Sequence, residues 1–327
     1  MKFQNKIDFQ AHYLPPAYFD FLEEEGLFCP DGFPTPEWSE EDQQAAMAEL
    51  GIGYALLSLS SPSLYTTDPA RTRALAQKVN DQGAEIVSRA PGSLGFLATL
   101  PLPDVSAGTE EARRCLGELH ADGVGLMTNY GGVYLGDRQL DSLLAELDSR
   151  GALAVMHPTQ PALLIPNVNE EIPIPAFEYF VETTRTFLNM VQNDTFARFP
   201  NIRWVLPHAG AFLPILADRF DSFALMLRFA DPSRRVDILD DMAHVYYDTA
   251  GFSEQKQVEM LLRNVDESHL LYGSDTPYTD LSACAGQAEA LESTNKLTLR
   301  QKQMLFTENA QALLPKLQSM KSEVYDV

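Results

Sequence analysis

Cysteine is scarce in this sequence, and the three that occur, Cys29, Cys115 and Cys284, lie far apart. They form no Cys-x-x-Cys pair, which excludes a thiol zinc site or redox motif of that type, and three thiols do not build a disulfide framework. This pattern is typical of a reducing compartment. The N-terminal segment contains Asp8, His12 and two adjacent prolines before any apolar run develops, so it does not predict a signal peptide. We therefore expect a cytoplasmic protein.

Positive charge and long apolar runs are also in short supply. The 327 residues include 24 lysines and arginines against 46 aspartates and glutamates, which gives a formal net charge of −22. Such a surface repels phosphate backbones and anionic lipids, so we expect neither nucleic-acid binding nor membrane binding. No apolar stretch approaches the roughly 18 residues of a membrane span. An anionic substrate would need a local cation, either a metal ion or an arginine, to offset the repulsion.

A Gly-x-Gly-x-x-Gly turn is missing after the first predicted strand, which argues against the alternative of a doubly wound sheet. The sequence instead contains eight short apolar segments, most of them separated by amphipathic helical stretches. Their continuous Ala, Leu, Val and Ile content fits parallel strands that are covered on both faces. We therefore predict an α/β fold, a (β/α)8 TIM barrel. Its predicted strands are 6–9, 54–59, 93–99, 123–127, 153–156, 203–206, 245–248 and 270–272.

Two connections are longer than a barrel requires, 13–51 after the first strand and 158–201 after the fifth. Because both follow a strand, we expect both insertions to cover the C-terminal face, where the active sites of such barrels lie. The chain shows no repeat and no linker. We therefore predict a single domain over 1–317, followed by a loosely held polar tail over 318–327.

Three histidines and one aspartate follow predicted strands at equivalent positions. His12 follows the first strand, His157 the fifth, His208 the sixth and Asp275 the eighth. Because the carboxyl ends of parallel strands meet at one mouth of a barrel, we expect these side chains to converge. Imidazole nitrogens together with a carboxylate oxygen suit a divalent cation such as zinc. The other three of the six histidines precede strands or end a helix, and we predict structural roles for them.

Several short motifs occur in a fixed order along the chain. They lie at 7–16, 128–130, 134–137, 156–158, 182–185, 208–212, 218–220, 247–250, 271–277 and 309–310, and include QAH, MHP, HAG and YGSDTP. In this combination the sequence resembles the amidohydrolase superfamily. The resemblance is to the amidohydrolase-2 branch, which includes aminocarboxymuconate-semialdehyde, γ-resorcylate and 6-methylsalicylate decarboxylases. It extends over about residues 6–317.

The resemblance implies a role for each of the residues at the strand ends. His12, His157 and Asp275 would be metal ligands, with Asp275 also part of the catalytic set. His208 would be the acid–base residue beside the metal. The first-strand motif of the family is usually His-x-His or Glu-x-His, whereas this chain has Gln10 at its first position. An amide oxygen is a neutral and weaker donor, so Gln10 either binds the metal or only hydrogen-bonds in the barrel mouth. Zinc is the expected ion, with manganese as the second choice.

Such a site leaves two reactions open. The first is nonoxidative decarboxylation of a small aromatic or unsaturated carboxylic acid similar to a hydroxybenzoate. The metal would bind the substrate carboxylate and hydroxyl, and His208 would donate a proton. The second is hydrolysis of a lactone, ester or amide by a metal-activated water, with His208 as base. The resemblance to decarboxylases favours the first, while Gln10 also suggests a third hypothesis, a protein that has lost catalysis.

Aromatic residues in the loops are candidates for holding a flat substrate ring. They are Tyr13, Tyr65, Tyr130, Phe177, Tyr179, Phe180 and Phe212, and we select Tyr130, Phe177 and Phe212 as substrate-binding. Arg219 is a further candidate, as a partner for a second substrate anion. Asp248, at the end of the seventh strand, is expected to orient a histidine. The expected partner is a small carboxylic acid, and the resemblance implies a homodimer or homotetramer.

Overall fold

The computed structural model describes residues 2–230, 235–254, 256–321 and 323–325. Eight parallel strands form one sheet, in which each strand lies beside the next one along the chain. They are β1 (Lys6–His12), β2 (Ile52–Ser58), β3 (Leu94–Thr99), β4 (Gly123–Met127), β5 (Leu153–His157), β6 (Arg203–Leu206), β7 (Tyr246–Asp248) and β8 (Leu270–Leu271). A two-stranded hairpin, Asn129–Tyr130 with Val133–Tyr134, follows β4.

The last strand returns to the first and closes the sheet into a barrel. Asp8 of β1 forms a parallel bridge with Tyr272, directly after β8. The Phe9 N–H donates to the carbonyl of Tyr272 at 2.8 Å, and the His12 N–H donates to that of Thr276 at 2.8 Å. The predicted (β/α)8 barrel is confirmed. β1 continues to His12 rather than ending at Phe9, because its pairing with the segment after β8 extends that far.

Helices connect the strands and pack around the barrel. They are α1 (Pro16–Glu24), α2 (Glu40–Leu50), α3 (Pro69–Arg89), α4 (Val105–Gly117), α5 (Asp141–Ser149), α6 (Ile174–Gln192), α7 (Thr195–Arg198), α8 (Leu213–Ala230), α9 (Ile238–His244), α10 (Gln257–Leu261), α11 (Leu281–Ser293), α12 (Leu299–Gln303) and α13 (Asn309–Leu313). Side-chain caps fix the residues at which several helices begin. At the start of α2, for example, the Asp42 N–H donates to Ser39 Oγ at 3.1 Å. None of the helices within the described ranges has both the length and the apolar content of a bilayer span.

The two long insertions cover the C-terminal face, as predicted. The connection from β1 to β2 contains α1, the short 3-10 turn Pro30–Gly32 and α2, and the connection from β5 to β6 contains α6 and α7. Both connections leave the C-terminal end of a strand. Asp31 from the first insertion and Tyr179 from the second line one cavity together with His157 of β5.

Two apolar clusters stabilise the barrel. On β2, Tyr54 and Leu56 belong to one cluster and Ala55 and Leu57 to the other, as expected from the alternation of side chains along a strand. The cluster with Leu56 fills the barrel and continues into the C-terminal segment at Leu313. The other cluster joins the outer face of the strands to the helices. The strands are therefore buried on both faces, which explains their continuous apolar sequences.

An irregularity in β1 turns polar side chains into the barrel mouth. Asp8 of β1 pairs with Ala55 of β2, and Ala11 of β1 pairs with Leu57 of β2. Between these two pairs β1 therefore contains one residue more than β2. A bulge of this kind shifts the alternation of inward and outward side chains. His12 follows the bulge, and its imidazole lies in the mouth.

The C-terminal tail is held more firmly than expected. Glu323–Tyr325 forms an antiparallel pair with Lys2–Gln4. The prediction of a loose tail over 318–327 is therefore wrong for 323–325, because backbone hydrogen bonds to the N-terminal strand order this segment. Residues 322, 326 and 327 lie outside the described residues.

A buried ion pair fastens the start of β1. Lys6 Nζ donates to the carbonyls of Phe3 and Leu50 at 2.8 and 2.7 Å and lies 2.8 Å from Glu292 Oε1. The same carboxylate oxygen accepts the Phe3 N–H at 3.1 Å. Burial lowers the pKa of Lys6, although Glu292 opposes that shift. Each charge therefore depends on the other for its stability in the interior.

We expect Lys6→Met to lower the free energy of unfolding by about 3–5 kcal/mol, because it leaves the buried charge of Glu292 without its partner. Denaturant titration near neutral pH measures the change. Lys78→Met is the matched control: Lys78 pairs with Asp20 at 3.5 Å, and the two side chains are 58% and 61% exposed. Such an exposed pair contributes about 0–1 kcal/mol. Similar losses in the two variants would contradict the role assigned to Lys6.

Candidate metal centre and cavity

The barrel brings three potential ligands together at its C-terminal mouth. His12 is the last residue of β1, His157 is the last residue of β5, and Asp275 lies in the turn after β8. One ligand atom from each side chain lies within 4.8 Å of the other two. His12 Nε2 is 3.2 Å from Asp275 Oδ1, and the rings of His12 and His157 meet edge-on at 4.9 Å. The predicted convergence of these three residues is therefore present in the structure.

The second nitrogen of each imidazole is held by a backbone carbonyl. His12 Nδ1 lies 3.3 Å from the carbonyl oxygen of Ser58, and His157 Nδ1 lies 2.7 Å from that of Pro158. A carbonyl oxygen only accepts hydrogen bonds, so His157 Nδ1 carries the proton and donates it. His12 Nδ1 also lies 3.1 Å from Ser58 Oγ, a hydroxyl that either donates or accepts. These contacts fix the orientation of both rings, and His12 Nε2 faces Asp275 Oδ1 at 3.2 Å, the side on which a cation would bind.

The charges at this position also suit a divalent cation. Burial would raise the pKa of Asp275, but the neighbouring His12, His208 and His157 outweigh it and lower that pKa to about 2. Burial, followed by His12 and His208, lowers the pKa of His157 well below its usual value. A neutral His157 imidazole and an ionised Asp275 carboxylate are in the protonation states that metal ligation requires. The donor set therefore fits a divalent metal ion.

His208 lies beside these ligands, after β6. Its backbone N–H donates to Asp248 Oδ1 at 3.0 Å, and its ring stacks on Phe180 with centroids 5.7 Å apart and an interplanar angle of 22°. Burial lowers the pKa of His208, Asp275 opposes the shift, and His12 adds to it. Gly251 makes room for the ring, because a Cβ at that position would lie 2.5 Å from His208 Cδ2.

Gln10 connects His208 with Asp248. In the amide orientation that satisfies both neighbours, Gln10 Nε2 donates to the two carboxylate oxygens of Asp248 at 2.9 and 2.7 Å. Its amide oxygen then accepts from His208 Nε2 at 3.3 Å. Burial raises the pKa of Asp248 to about 8. Asp248 thus orients His208 through its backbone N–H and through Gln10, as the sequence suggested for this aspartate.

A cavity of about 540 Å³ opens onto two of the three candidate ligands, His157 and Asp275. His157, His208 and Asp275 lie on its wall. Much of the remaining wall is contributed by apolar side chains, which suits a flat hydrophobic ring. These are Pro30, Phe33, Pro175, Ala176, Phe180, Phe252 and Ala283.

The four predicted substrate-binding residues do not line this cavity. Tyr130 is buried in the hairpin after β4, where its hydroxyl accepts the Met127 N–H at 2.9 Å. Phe212 packs against the wall residue Phe180 with ring centroids 5.4 Å apart, and Phe177 packs against Phe212 at 6.1 Å. Arg219 lies on α8, with its guanidinium 5.1 Å from the ring centroid of Phe223. Their substrate-binding role stays a prediction, and the packing of the helices and the hairpin places them outside the lining of this cavity.

Other polar residues on the wall were not selected from the sequence. Asp31 and Ser61 lie in segments that follow β1 and β2, and Asp31 Oδ2 accepts from Tyr179 Oη at 2.7 Å and from Ser61 Oγ at 2.5 Å. Thr279 Oγ1 donates to Asp275 Oδ2 at 2.9 Å. Their positions after barrel strands are the only sequence signal for them. Tyr179 was among the loop aromatics considered for ring binding.

The amidohydrolase family model matches residues 7–316. The 6-methylsalicylic acid decarboxylase of Aspergillus aculeatus is 34% identical over 330 aligned residues, which cover 95% of this chain and 96% of that protein. The crystal structure of an amidohydrolase II is 40% identical, with a TM-score of 0.90 over 95% of this chain and 99% of that one. A dihydroxybenzoic acid decarboxylase from Polaromonas sp. JS666, crystallised with manganese and the inhibitor 2-nitroresorcinol, is 21% identical, with a TM-score of 0.81 over 96% and 97%. The chain therefore belongs to the amidohydrolase family.

Proposed function

We propose that this protein is a metal-dependent nonoxidative decarboxylase of a small aromatic carboxylic acid similar to a hydroxybenzoate. The observation that carries the proposal is the convergence of His12, His157 and Asp275 beside His208 at the end of a largely apolar cavity. The similarity to a 6-methylsalicylic acid decarboxylase supports this reaction and this substrate class.

His12, His157 and Asp275 would hold the cation. A divalent metal bound by these residues would supply a net positive charge that attracts and polarises the substrate carboxylate and an adjacent hydroxyl. This local charge offsets the repulsion by a protein of formal net charge −22. We propose the amide oxygen of Gln10 as a further metal ligand, because Asp248 holds the amide nitrogen and leaves the oxygen facing His208. Zinc is the ion predicted from the sequence, and the manganese bound by the Polaromonas enzyme supports a divalent ion more generally.

His208 would donate the proton that decarboxylation requires. The proton is transferred from the His208 imidazolium to the ring carbon that carries the carboxylate. The carbon–carbon bond then breaks, its electron pair returns to the ring, and carbon dioxide leaves. The imidazole is left neutral, which is the form favoured by its burial. Stacking on Phe180 and the space beside Gly251 fix the position of the His208 imidazole during this transfer.

The same site supports hydrolysis of a lactone, ester or amide as a second candidate. The observation that favours it is the lowered pKa of His208, because a neutral imidazole is the form needed for a general base. The two reactions therefore require opposite protonation states of the same residue.

We propose that the protein acts as a homodimer or homotetramer. Four large apolar side chains of α8, Ile215, Phe223, Met226 and Phe229, are between 51% and 87% exposed. Exposed apolar groups of this size on an otherwise acidic protein are typical of an interface with another chain. The second copy of the same chain is the partner that the sequence resemblance predicts.

We also propose a cytoplasmic location. Cys29, Cys115 and Cys284 are all free thiols in the structure. Unpaired cysteines are typical of a reducing compartment.

Paired variants separate metal binding from proton transfer. We expect Asp275→Ala to bind less than about a tenth of an equivalent of metal and to release no carbon dioxide, since it removes the charged ligand. We expect His208→Asn to retain its metal but to release carbon dioxide about 10²–10⁴ times more slowly, because it lacks the proton donor. Elemental analysis and a panel of hydroxybenzoates provide the measurements.

The control for these variants is His269→Asn. His269 Nδ1 lies 2.9 Å from the carbonyl oxygen of Val245 and its ring stacks on Tyr246, so this histidine has a structural role. The control should retain both metal and activity. Full activity of His208→Asn would contradict the proposed role of His208, and a metal-free wild-type protein after reconstitution would support the non-catalytic hypothesis.

The pH dependence distinguishes the two candidate reactions. The pKa of His208 is lowered from its usual 6.5, chiefly by burial. A proton donor must be protonated, so we expect kcat/KM for decarboxylation to fall about tenfold for each unit of pH above that pKa. A general base must be neutral, so hydrolysis would remain constant over the same range. A flat profile for carbon dioxide release between about pH 7 and 9 would contradict His208 as the donor.

Light scattering in solution tests the assembly. We expect a mass of two or four 36.4 kDa chains. Phe229→Asp should reduce that mass, because it places a charge on a side chain that is 87% exposed and proposed to lie in the interface. Phe28→Asp is the matched control, with a phenylalanine that is 73% exposed in the first insertion. A monomeric wild-type protein at micromolar concentration would exclude the proposed interface.

A further inference from the structure

Asp31 places a carboxylate on the wall of the cavity. It belongs to the short turn Pro30–Gly32 in the insertion after β1, and it is half-buried. Its backbone is left-handed, with a φ of 58°. Aspartate and asparagine tolerate this conformation better than most residues, so it is compatible with an exchange between them.

Two hydroxyl groups orient the Asp31 side chain. Tyr179 Oη donates to Oδ2 at 2.7 Å, and Ser61 Oγ donates to the same oxygen at 2.5 Å. Ser61 Oγ also lies 2.7 Å from Thr159 Oγ1, which ties the arrangement to the segment after β5. Among the described residues Oδ1 accepts no hydrogen bond, which leaves it as an acceptor for a ligand.

Tyr179 relates Asp31 to the metal centre. The phenol ring lies edge-on to His157 with centroids 6.0 Å apart, while its hydroxyl contacts Asp31. All three residues line the same cavity. A ligand bound at the metal centre would therefore share its cavity with the Asp31 carboxylate.

We infer that Asp31 is a specificity-determining residue, on the basis of the proposed decarboxylase function. It accepts a hydrogen bond from a neutral donor, a hydroxyl or amino group, on the substrate ring away from the reacting carboxylate. It disfavours a second carboxylate at the same ring position by like-charge repulsion inside a largely apolar cavity. A site that holds a fixed acceptor discriminates strongly between a substituent that donates and one that cannot.

Matched pairs of 2-hydroxybenzoates test this inference. Each pair carries either a hydroxyl or a carboxylate at one free ring position, and unsubstituted 2-hydroxybenzoate is the reference. For at least one position we expect wild-type kcat/KM to favour the hydroxyl by about 10²-fold or more. Asp31→Asn should reduce that ratio at least about tenfold, mainly through a lower KM for the dicarboxylate, because it removes the repulsive charge. Activity on the reference substrate normalises each variant for its folded, metal-bound fraction.

Two further variants complete the test. Asp280→Asn is the matched charge control: Asp280 also lines the cavity, but it is exposed and its Oδ1 caps α11 by accepting the Ser282 N–H at 2.9 Å. Asparagine retains a capping oxygen, so the ratio should stay at the wild-type value. Tyr179→Phe removes one hydroxyl that donates to Asp31, and it should also lower the hydroxyl-to-carboxylate ratio. This variant tests the role of Asp31 even if Asp31→Asn folds poorly.

The possible results are distinguishable. A hydroxyl-to-carboxylate ratio that changes by less than about threefold in Asp31→Asn, with turnover and metal content preserved, overturns the specificity role alone. A wild-type protein that binds metal but decarboxylates no member of the panel overturns the proposed function, and the inference about Asp31 with it. A loss of selectivity in Asp280→Asn equal to that in Asp31→Asn assigns the effect to net charge and also overturns the inference.

Discussion

The site depends on the backbone junction between the first strand and the segment after the last. The His12 N–H donates to the Thr276 carbonyl at 2.8 Å, and the Asp275 N–H donates to the Gln10 carbonyl at 2.7 Å. These two hydrogen bonds place Asp275 beside His12, although 263 residues separate them along the chain. His157 joins them because the fifth strand ends at the same mouth. The hydrogen bonds that close the barrel therefore also bring two of the candidate metal ligands together.

Buried carboxylates reinforce this junction. Asp8 Oδ1 accepts the N–H groups of Gln10 and Ser274 at 3.1 and 3.0 Å, and so fixes the bulge of β1 against the turn that carries Asp275. Asp248 does the same for His208 and Ala250. Burial raises the pKa of Asp8 to about 6 and that of Asp248 to about 8. Burying a carboxylate lowers the stability of the fold, and carboxylates with raised pKa values are typical of functional sites.

The residues on barrel strands were predictable, and those in insertions were not. His12, His157 and Asp275 were found because parallel strands end at one mouth, which is a consequence of topology alone. The link from Gln10 to Asp248 depends on a bulge, which leaves no clear mark in the sequence. Asp31 was missed because the path of its insertion is set by packing against α6. Tyr130 lies away from the cavity lining for the converse reason: a local hairpin turns it into the core.

The central claim is that this mouth binds a divalent cation, and anomalous diffraction from crystals of the metal-reconstituted protein tests it most directly. The predicted result is one anomalous peak about 2.0–2.2 Å from His12 Nε2, His157 Nε2 and an oxygen of Asp275. The same map shows whether the amide oxygen of Gln10 completes the coordination. A fully reconstituted protein with no peak between these three side chains, or with its metal bound elsewhere, would contradict the account.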